Sequence, residues 1–451
     1  MMDRALLNNA LDAALHLGAA EAEAVLIRDV SLGIEVAQGQ VETLQLAESI
    51  GIGARLFTQD HRMGFAYASL PSVHADAKNL ETLVGAAWQN AVANAPDPHN
   101  VLPDESSTSD DDWSQQDFSQ MPTAEKVEFC RELEAKTLAA DKRVARVDKA
   151  AYGDSHIEYV IANTRGAFRQ YRNAHASCSA VAAAAEPGAD SEIGWEFDFG
   201  RTFDALRPDW VAQRCAQRAT QGLGGKPCET RSTPVVLDNY VASQFLGVIG
   251  PALMANNVLK GKSLFAGRIG ETIGSDLFTL VDQNDLESGM NRAPFDAEGV
   301  TSQRTVLIDG GVLRGYLHNA HTAHRMGQPH TANAARGGGF RSAPEVGASN
   351  AFLSPGKESI EALWEMAGDG LFVTDAMGVH TADPISGDFS FGVAGLKIEH
   401  GRLAGPVRGV TVAGNIKDLL KNIRAIASDL RFFGAYGAPS MLISEIQVSG
   451  A

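Results

Sequence analysis

The sequence predicts an α+β protein, with helix-plus-meander layered modules in the N-terminal half and a β-rich C-terminal domain. Three observations carry this. Helical periodicity opens each of two N-terminal stretches and gives way to alternating apolar runs separated by turn residues. A glycine-rich segment, Gly222-Leu223-Gly224-Gly225-Lys226-Pro227, then breaks the chain. Beyond it short alternating runs dominate, most densely between residues 371 and 415.

Taken in order, the first 18 residues read as an amphipathic helix ended by Gly18. Runs at 24–30, 32–36, 41–46, 50–57 and 65–69 read as strands, with turns at Gly39-Gln40 and Asp60-His61. Ser72 is expected to cap a helix from 73 to about 92, which Pro96-Asp97-Pro98 stops. These elements form a module over residues 1–95. Residues 96–122, rich in Asp, Ser, Gln and Pro and carrying Asp110-Asp111-Asp112, read as an acidic, mobile connector that Trp113 and Phe118 pin to the surface.

A second module is expected over 123–224. Thr123 opens a helix to about 140. Strands follow at 144–152, 156–163 and 167–185, and Asn163-Thr164-Arg165-Gly166 makes a hairpin turn. The last run is alanine-rich, so strand and helix compete there. A helix over 208–222 closes the module. The domain over 225–451 starts with a strand at 235–238 and a helical pattern at 240–258, interrupted by Gly250-Pro251. A short helix is expected at 359–367. Asn415 should cap another, to about 428, with Asp418 as its reciprocal capping-box partner.

A chain of 451 residues exceeds one ordinary core, and 44% hydrophobic with 21% charged residues suits a soluble globular protein. No run reaches the ~18 uninterrupted apolar residues of a membrane span, and the start lacks the layout of a signal peptide. A cytoplasmic, membrane-free protein is the expectation. Cys130, Cys178, Cys215 and Cys228 form no CxxC pair and read as packed thiols. A net charge of −17 repels phosphate backbones and argues against direct nucleic-acid binding.

The stretch 371–415 holds Asp383-Pro384-x-Ser386-Gly387-Asp388-Phe389-Ser390-x-Gly392-x-x-Gly395-x-x-Ile398-Glu399-x-Gly401, then Pro406-Val407 and Gly414-Asn415. With Ser49-Ile50-Gly51-Ile52-Gly53-Ala54-Arg55, Gly261-Lys262-Ser263-Leu264-Phe265-Ala266-Gly267, Leu307-Ile308-Asp309-Gly310-Gly311 and Ala438-Pro439-Ser440, it resembles the PmbA/TldD family. That family contains peptidase subunits long labelled modulators of DNA gyrase. The resemblance spans nearly the whole chain.

Catalytic members of that family take two zinc-ligating histidines and a glutamate from one helix as HExxxH, with a cysteine near the C-terminus. A zinc peptidase needs such ligands, an open position for water and a carboxylate base. The corresponding helix here reads Ser243-Gln244-Phe245-Leu246-Gly247-Val248-Ile249-Gly250-Pro251, with Leu246 and Pro251 at the histidine positions and Gly247 at the glutamate position. No HExxxH, no HExxH and no cysteine after Cys228 occurs. The resemblance therefore points to the PmbA/TldE branch. It implies no catalytic residue and no metal ligand in this chain, with zinc in a partner subunit. The implied partners are a TldD-type HExxxH homologue, in a heterodimer or larger oligomer, and an extended unfolded or modified peptide undergoing proteolysis.

The residues leave alternatives. His318, His321 and His324 recur at three-residue steps, with His330 nearby, and offer an atypical metal site for a stand-alone metallopeptidase. A non-enzymatic peptide-binding homodimer is a third reading. Gly392 and Gly395, inside a strand pattern, suggest close backbone approach, so Ser386, Gly387, Asp388, Phe389, Gly392 and Gly395 are the candidates for peptide capture or subunit contact by strand addition. Asp388 and Glu399 are candidates to pair with each other or with Arg408 across the sheet. Arg336-Gly337-Gly338-Gly339-Phe340 lacks phosphate-loop spacing and reads as a flexible interface loop.

Overall fold

The computed structural model describes residues 4–71, 77–187 and 190–450. Helix α1 (Arg4–His16) buries Leu6, Leu7, Ala10, Leu11 and Ala14 along one stripe and stops at Gly18, whose φ of 100° suits a residue without Cβ. Strands β1 (Glu21–Ala37) and β2 (Gln40–Phe57) form one long hairpin. Gln38 and Gly39 both sit at positive φ in its turn, and the Glu134 carboxylate accepts both of their N–H groups. β3 (Met63–Ser69) and α2 (Ala77–Ala93) follow. The expected cap at Ser72 lies outside the described residues.

Residues 96–122 are not a mobile connector. They contribute β4 (Thr108–Asp112), which pairs in parallel with β6 (Phe168–Ala184), the strand after β5 (Val144–Asn163). Arg172 binds Asp110 and Asp112 at 3.0 and 3.2 Å, so the acidic run faces a cation on the neighbouring strand. Phe118 is fully buried, and the Arg292 guanidinium lies 4.4 Å above the Trp113 ring. Helix α3 (Thr123–Ala140) begins at Thr123 as expected. β7 (Glu192–Gly200), which the sequence pattern does not predict, and α4 (Pro208–Gln221) complete this half.

Both N-terminal modules share one seven-stranded sheet, in the order β3-β2-β1-β5-β6-β4, with β7 also pairing β6. Helices cover one face: α1 and α2 lie over Ala24, Leu26 and Ile52, whereas α3 and α4 lie over Leu32, Ile34 and Ala150. The other face carries Ile27, Tyr159 and Ile161 against Phe295 and Phe340 of the C-terminal domain.

That domain runs through β8 (Arg231–Leu237), α5 (Asn239–Ile249), α6 (Ala255–Leu259), β9 (Leu280–Gln283), β10 (Arg304–Asp309), β11 (Val312–Leu313) and α7 (Ala320–Met326). It continues with β12 (Ala334–Ala335), β13 (Glu345–Val346), β14 (Ala351–Leu353), α8 (Ile360–Ala367), β15 (Gly370–Met377), β16 (Asp388–Glu399) and β17 (Arg402–Asn415). It ends with α9 (Ile416–Lys421), β18 (Ile423–Ile426), β19 (Arg431–Phe433), β20 (Tyr436–Ala438) and β21 (Met441–Ser449). One six-stranded sheet has the order β17-β16-β15-β8-β21-β18, and β17 also pairs β21, closing a ring of five strands. A second has the order β11-β10-β9-β14-β20-β19. Asn415 caps α9 through Lys417 N–H, but the helix ends at Lys421, and residues 423–426 pair with β21 instead of prolonging it. No reciprocal bond from Asp418 completes a capping box among the described residues.

Candidate functional site

Helix α5 is capped by Asp238, whose carboxylate accepts Val241 N–H at 2.8 Å. Val241, Ala242, Phe245, Leu246 and Ile249 are buried, and the helix packs against β15, β19 and β20. At Gly250 the α-helix gives way to a 3₁₀ turn through Leu253, with Pro251 inside it. Tyr436 of β20 lies against this glycine face. A Cβ at Gly250 would collide with its hydroxyl, and one at Gly247 would stand 3.9 Å from its ring. Burial pushes the Tyr436 phenol up to about 12, so it stays protonated and is a poor metal donor at neutral pH. Leu246, Gly247 and Pro251 offer no side-chain donor. The residues at this position do not fit zinc.

The glycine-rich strands also differ from expectation. From Gly392 to Ile398, β16 has β15 on one side and β17 on the other, so no open edge exists there. The close approach at Gly395 is internal: a Cβ would meet the Phe372 carbonyl of β15, at a bulge in the register. Gly392 has only Met377 nearby. Phe389 stacks on Phe391, and both meet Phe245 edge-on, which places them in the core. Ser386, Gly387 and Asp388 form a turn. Asp383 accepts the N–H groups of Ile385 and Ser386, Gly387 sits at φ 86°, and Asp388 accepts from Asn415 Nδ2 at 2.8 Å. Arg408 binds Glu192, not Asp388 or Glu399.

His318, His321 and His324 do not share a helix face. Asn319 starts α7 through a capping box with Thr322, which leaves His318 before the helix. His318 is buried, and burial, then the neighbouring His330, lower its pKa to about 4. His321 Nε2 lies 3.0 Å from Asp97 Oδ2, and His324 Nδ1 lies 3.0 Å from His99 Nδ1. His321 and His324 both lie against His99, whereas His318 Nδ1 is buried without a hydrogen-bond partner, and the three rings form no donor cluster among the described residues.

A different constellation forms. Asp296, Glu298 and His330 bring one donor atom each within 4.8 Å of the others, the one such group among the described residues. Most of their acceptor sites are already engaged. Asp296 accepts from the N–H groups of Glu298, Val300 and Ala334. Glu298 accepts from Arg55 at 2.8 Å, Ala320 N–H at 2.8 Å and His330 Nε2 at 3.0 Å. His330 Nδ1 accepts from Ala332 N–H. Arg55 also binds Glu23 at 2.7 Å, and Arg336 binds Glu23 from the other side. Burial opposes ionisation of Glu298, but Arg55 and His330 outweigh it and hold the carboxyl below the usual carboxylate range. For Asp296, burial outweighs His330, 3.7 Å away, and with the Glu298 charge beside it pushes the carboxyl above its ordinary value. Two guanidiniums, and carboxylates already engaged by three donors each, describe an ion-pair hub between the N-terminal sheet and the C-terminal domain, not a cation cradle.

The loop expected to be flexible, 336–340, is part of this joint. Phe340 fills the hollow left by Gly51 and Gly53 on β2, where any Cβ would strike its ring or carbonyl. The alternating glycines of Ser49-Ile50-Gly51-Ile52-Gly53 were the available signal. Beside it lies a cavity of about 520 Å³, walled by Ile27, Tyr159, Tyr171, Phe295, Asn333 and Arg336. Asn333 Oδ1 and Arg336 Nε are buried without hydrogen-bond partners.

Residues 22–95, 116–223 and 230–450 match, in turn, domain 1, the central domain and the C-terminal domain of the PmbA/TldA metallopeptidases. Metalloprotease PmbA of Escherichia coli O157:H7 is 27% identical over 99% of this chain and 97% of that protein. A Metalloprotease PmbA homolog of Haemophilus influenzae is 25% identical over 96% of this chain and 92% of that protein. The fold matches the crystal structure of TldE from Thermococcus kodakarensis with a TM-score of 0.88 at 20% identity, covering 98% of this chain and 99% of that one.

Proposed function

The chain belongs to the PmbA/TldD metallopeptidase family, and from this membership we propose that it is the non-catalytic subunit of a TldD/TldE-type zinc peptidase complex. In this reading a TldD-type homologue with HExxxH carries the zinc and breaks the peptide bond. This chain closes the shared chamber and helps hold an extended peptide. One observation carries the proposal: the helix that should present ligands presents Leu246, Gly247 and Pro251, with Tyr436 packed onto its glycines. Three ligand positions and the base are without donors, so no single substitution restores the site. The five-strand ring of β8, β15, β16, β17 and β21, against which that helix packs through β15 and β8, remains as scaffold.

A stand-alone metallopeptidase built on His318, His321 and His324 has no support, because those rings form no donor cluster among the described residues. Direct nucleic-acid binding is opposed by the net charge of −17. The test is co-expression with the HExxxH-bearing homologue of the same organism. The expected result is a complex that cleaves an unfolded peptide, with zinc lost only when the homologue's motif is replaced. Retention of zinc and cleavage by this chain without the homologue would overturn the proposal.

A further inference from the structure

Strand β2 is longer than the strand that covers its outer edge. β1 pairs with β2 from Gln40 to Phe57, but β3 pairs only from Gly51 to Phe57. Among the described residues, no strand lies against the outer edge of residues 40–49. That edge reads Gln-Val-Glu-Thr-Leu-Gln-Leu-Ala-Glu-Ser and holds no lysine, arginine or proline, the residues that usually protect an open edge. Val41 is 38% exposed, Leu44 52% and Leu46 70%. They stand opposite Val36, Ile34 and Leu32 of β1, all buried beneath α3, so an apolar stripe runs from the core onto the open edge.

Resting on the reading above, we infer that residues 40–49 of β2 are a subunit-docking edge, and that its occupant is an edge strand of the zinc-bearing homologous subunit, with apolar residues against Leu44 and Leu46 and lysine or arginine facing Glu42 and Glu48. Charge selects this occupant over a second copy. In a two-fold antiparallel pairing of β2 with itself, only the register centred on Gln45 sets Leu44 against Leu46. That register also sets Glu42 against Glu48 at both ends. Registers centred on Leu44 or Leu46 place a leucine against a glutamate. Arg28 offsets Glu48 at 2.8 Å, but no ion pair offsets Glu42 among the described residues. Like charges directly opposite destabilise a strand pair, and −17 per chain opposes self-association further. A partner with basic flanks removes both penalties. Main-chain hydrogen bonds along the edge supply attraction without further side-chain readout.

The test compares three forms of the chain, wild type, the double variant Leu44→Lys/Leu46→Lys and Glu42→Lys, each titrated with the homologue by native mass spectrometry. The exposed positions leave folding intact, which a thermal melt verifies. The double variant is expected to weaken the complex by at least about tenfold. Glu42→Lys is expected to weaken it too, and to create a homodimer, because the introduced ammonium then faces Glu48 of the second copy. Unchanged affinity in both variants overturns the docking edge while leaving the subunit role standing. A wild-type homodimer that the double variant dissociates overturns the choice of occupant. Failure of the wild type to bind the homologue overturns the subunit role itself.

Discussion

Arg55 has its charge set by two carboxylates rather than by water. It is 6% exposed and binds Glu23 of its own sheet and Glu298 of the C-terminal domain. Replacing it by methionine keeps volume but removes the guanidinium shared by two buried carboxylates, leaving Glu23 to Arg336 and Glu298 to His330. The expected loss is roughly 3–5 kcal/mol, read as a lower urea midpoint. His318 makes a pH-dependent contribution. Its folded pKa of about 4 lies below the ordinary 6.5, so the unfolded chain binds the proton first. Stability is therefore expected to fall as pH drops from 6.5 towards 4, and His318→Phe should flatten that limb in denaturation curves taken across the window. A variant as acid-sensitive as wild type would show that His318 is not the group responsible. None of this is legible in sequence. The histidines at three-residue steps read as a helix face because the Asn319 cap that excludes His318 from α7 resembles any other asparagine.

At the scale of elements, the long strands look broken in sequence because of their own solvent-side residues. β1 carries Arg28, Asp29, Ser31 and Gly33 in its middle, which look like a turn, yet it runs unbroken opposite β2 and β5. β7 escapes sequence reading for the reverse reason. Glu196 and Asp198 point inward to Arg218, Arg431 and Arg207, whereas Trp195 and Phe197 are only half-buried. A period-2 pattern with charges inside is invisible without the partners. The acidic run misleads likewise, since Arg172 lies 60 residues from Asp112 in sequence. Helices α3 and α4 are legible because apolar spacing and, in α4, a proline at the first turn are local signals. Two substitutions test the element packing. Gly395→Ala forces a methyl onto the Phe372 carbonyl and should cost about 1–3 kcal/mol, measured as a lower urea midpoint. Phe340→Ala empties the hollow over Gly51 and Gly53 and should cost about 3–5 kcal/mol, with faster proteolysis of the loop around it.

The whole molecule is one N-terminal sheet clamped between a helical layer and a β-rich domain. The hub of Glu23, Arg55, Glu298, His330 and Arg336 ties the sheet to the β-rich domain. The α+β class and the family are legible from turn residues and glycine spacing, which are written locally. The joint is not, because its charges come from residues 23 to 336. The chemistry follows from what the central helix lacks. The most direct measurement is the zinc content of the purified full chain, expressed without any homologue and equilibrated with excess zinc before dialysis, together with its rate on an unfolded peptide. The account predicts far less than one zinc per chain and no cleavage above the buffer control. One tightly held zinc per chain, with cleavage that a chelator abolishes, would contradict it.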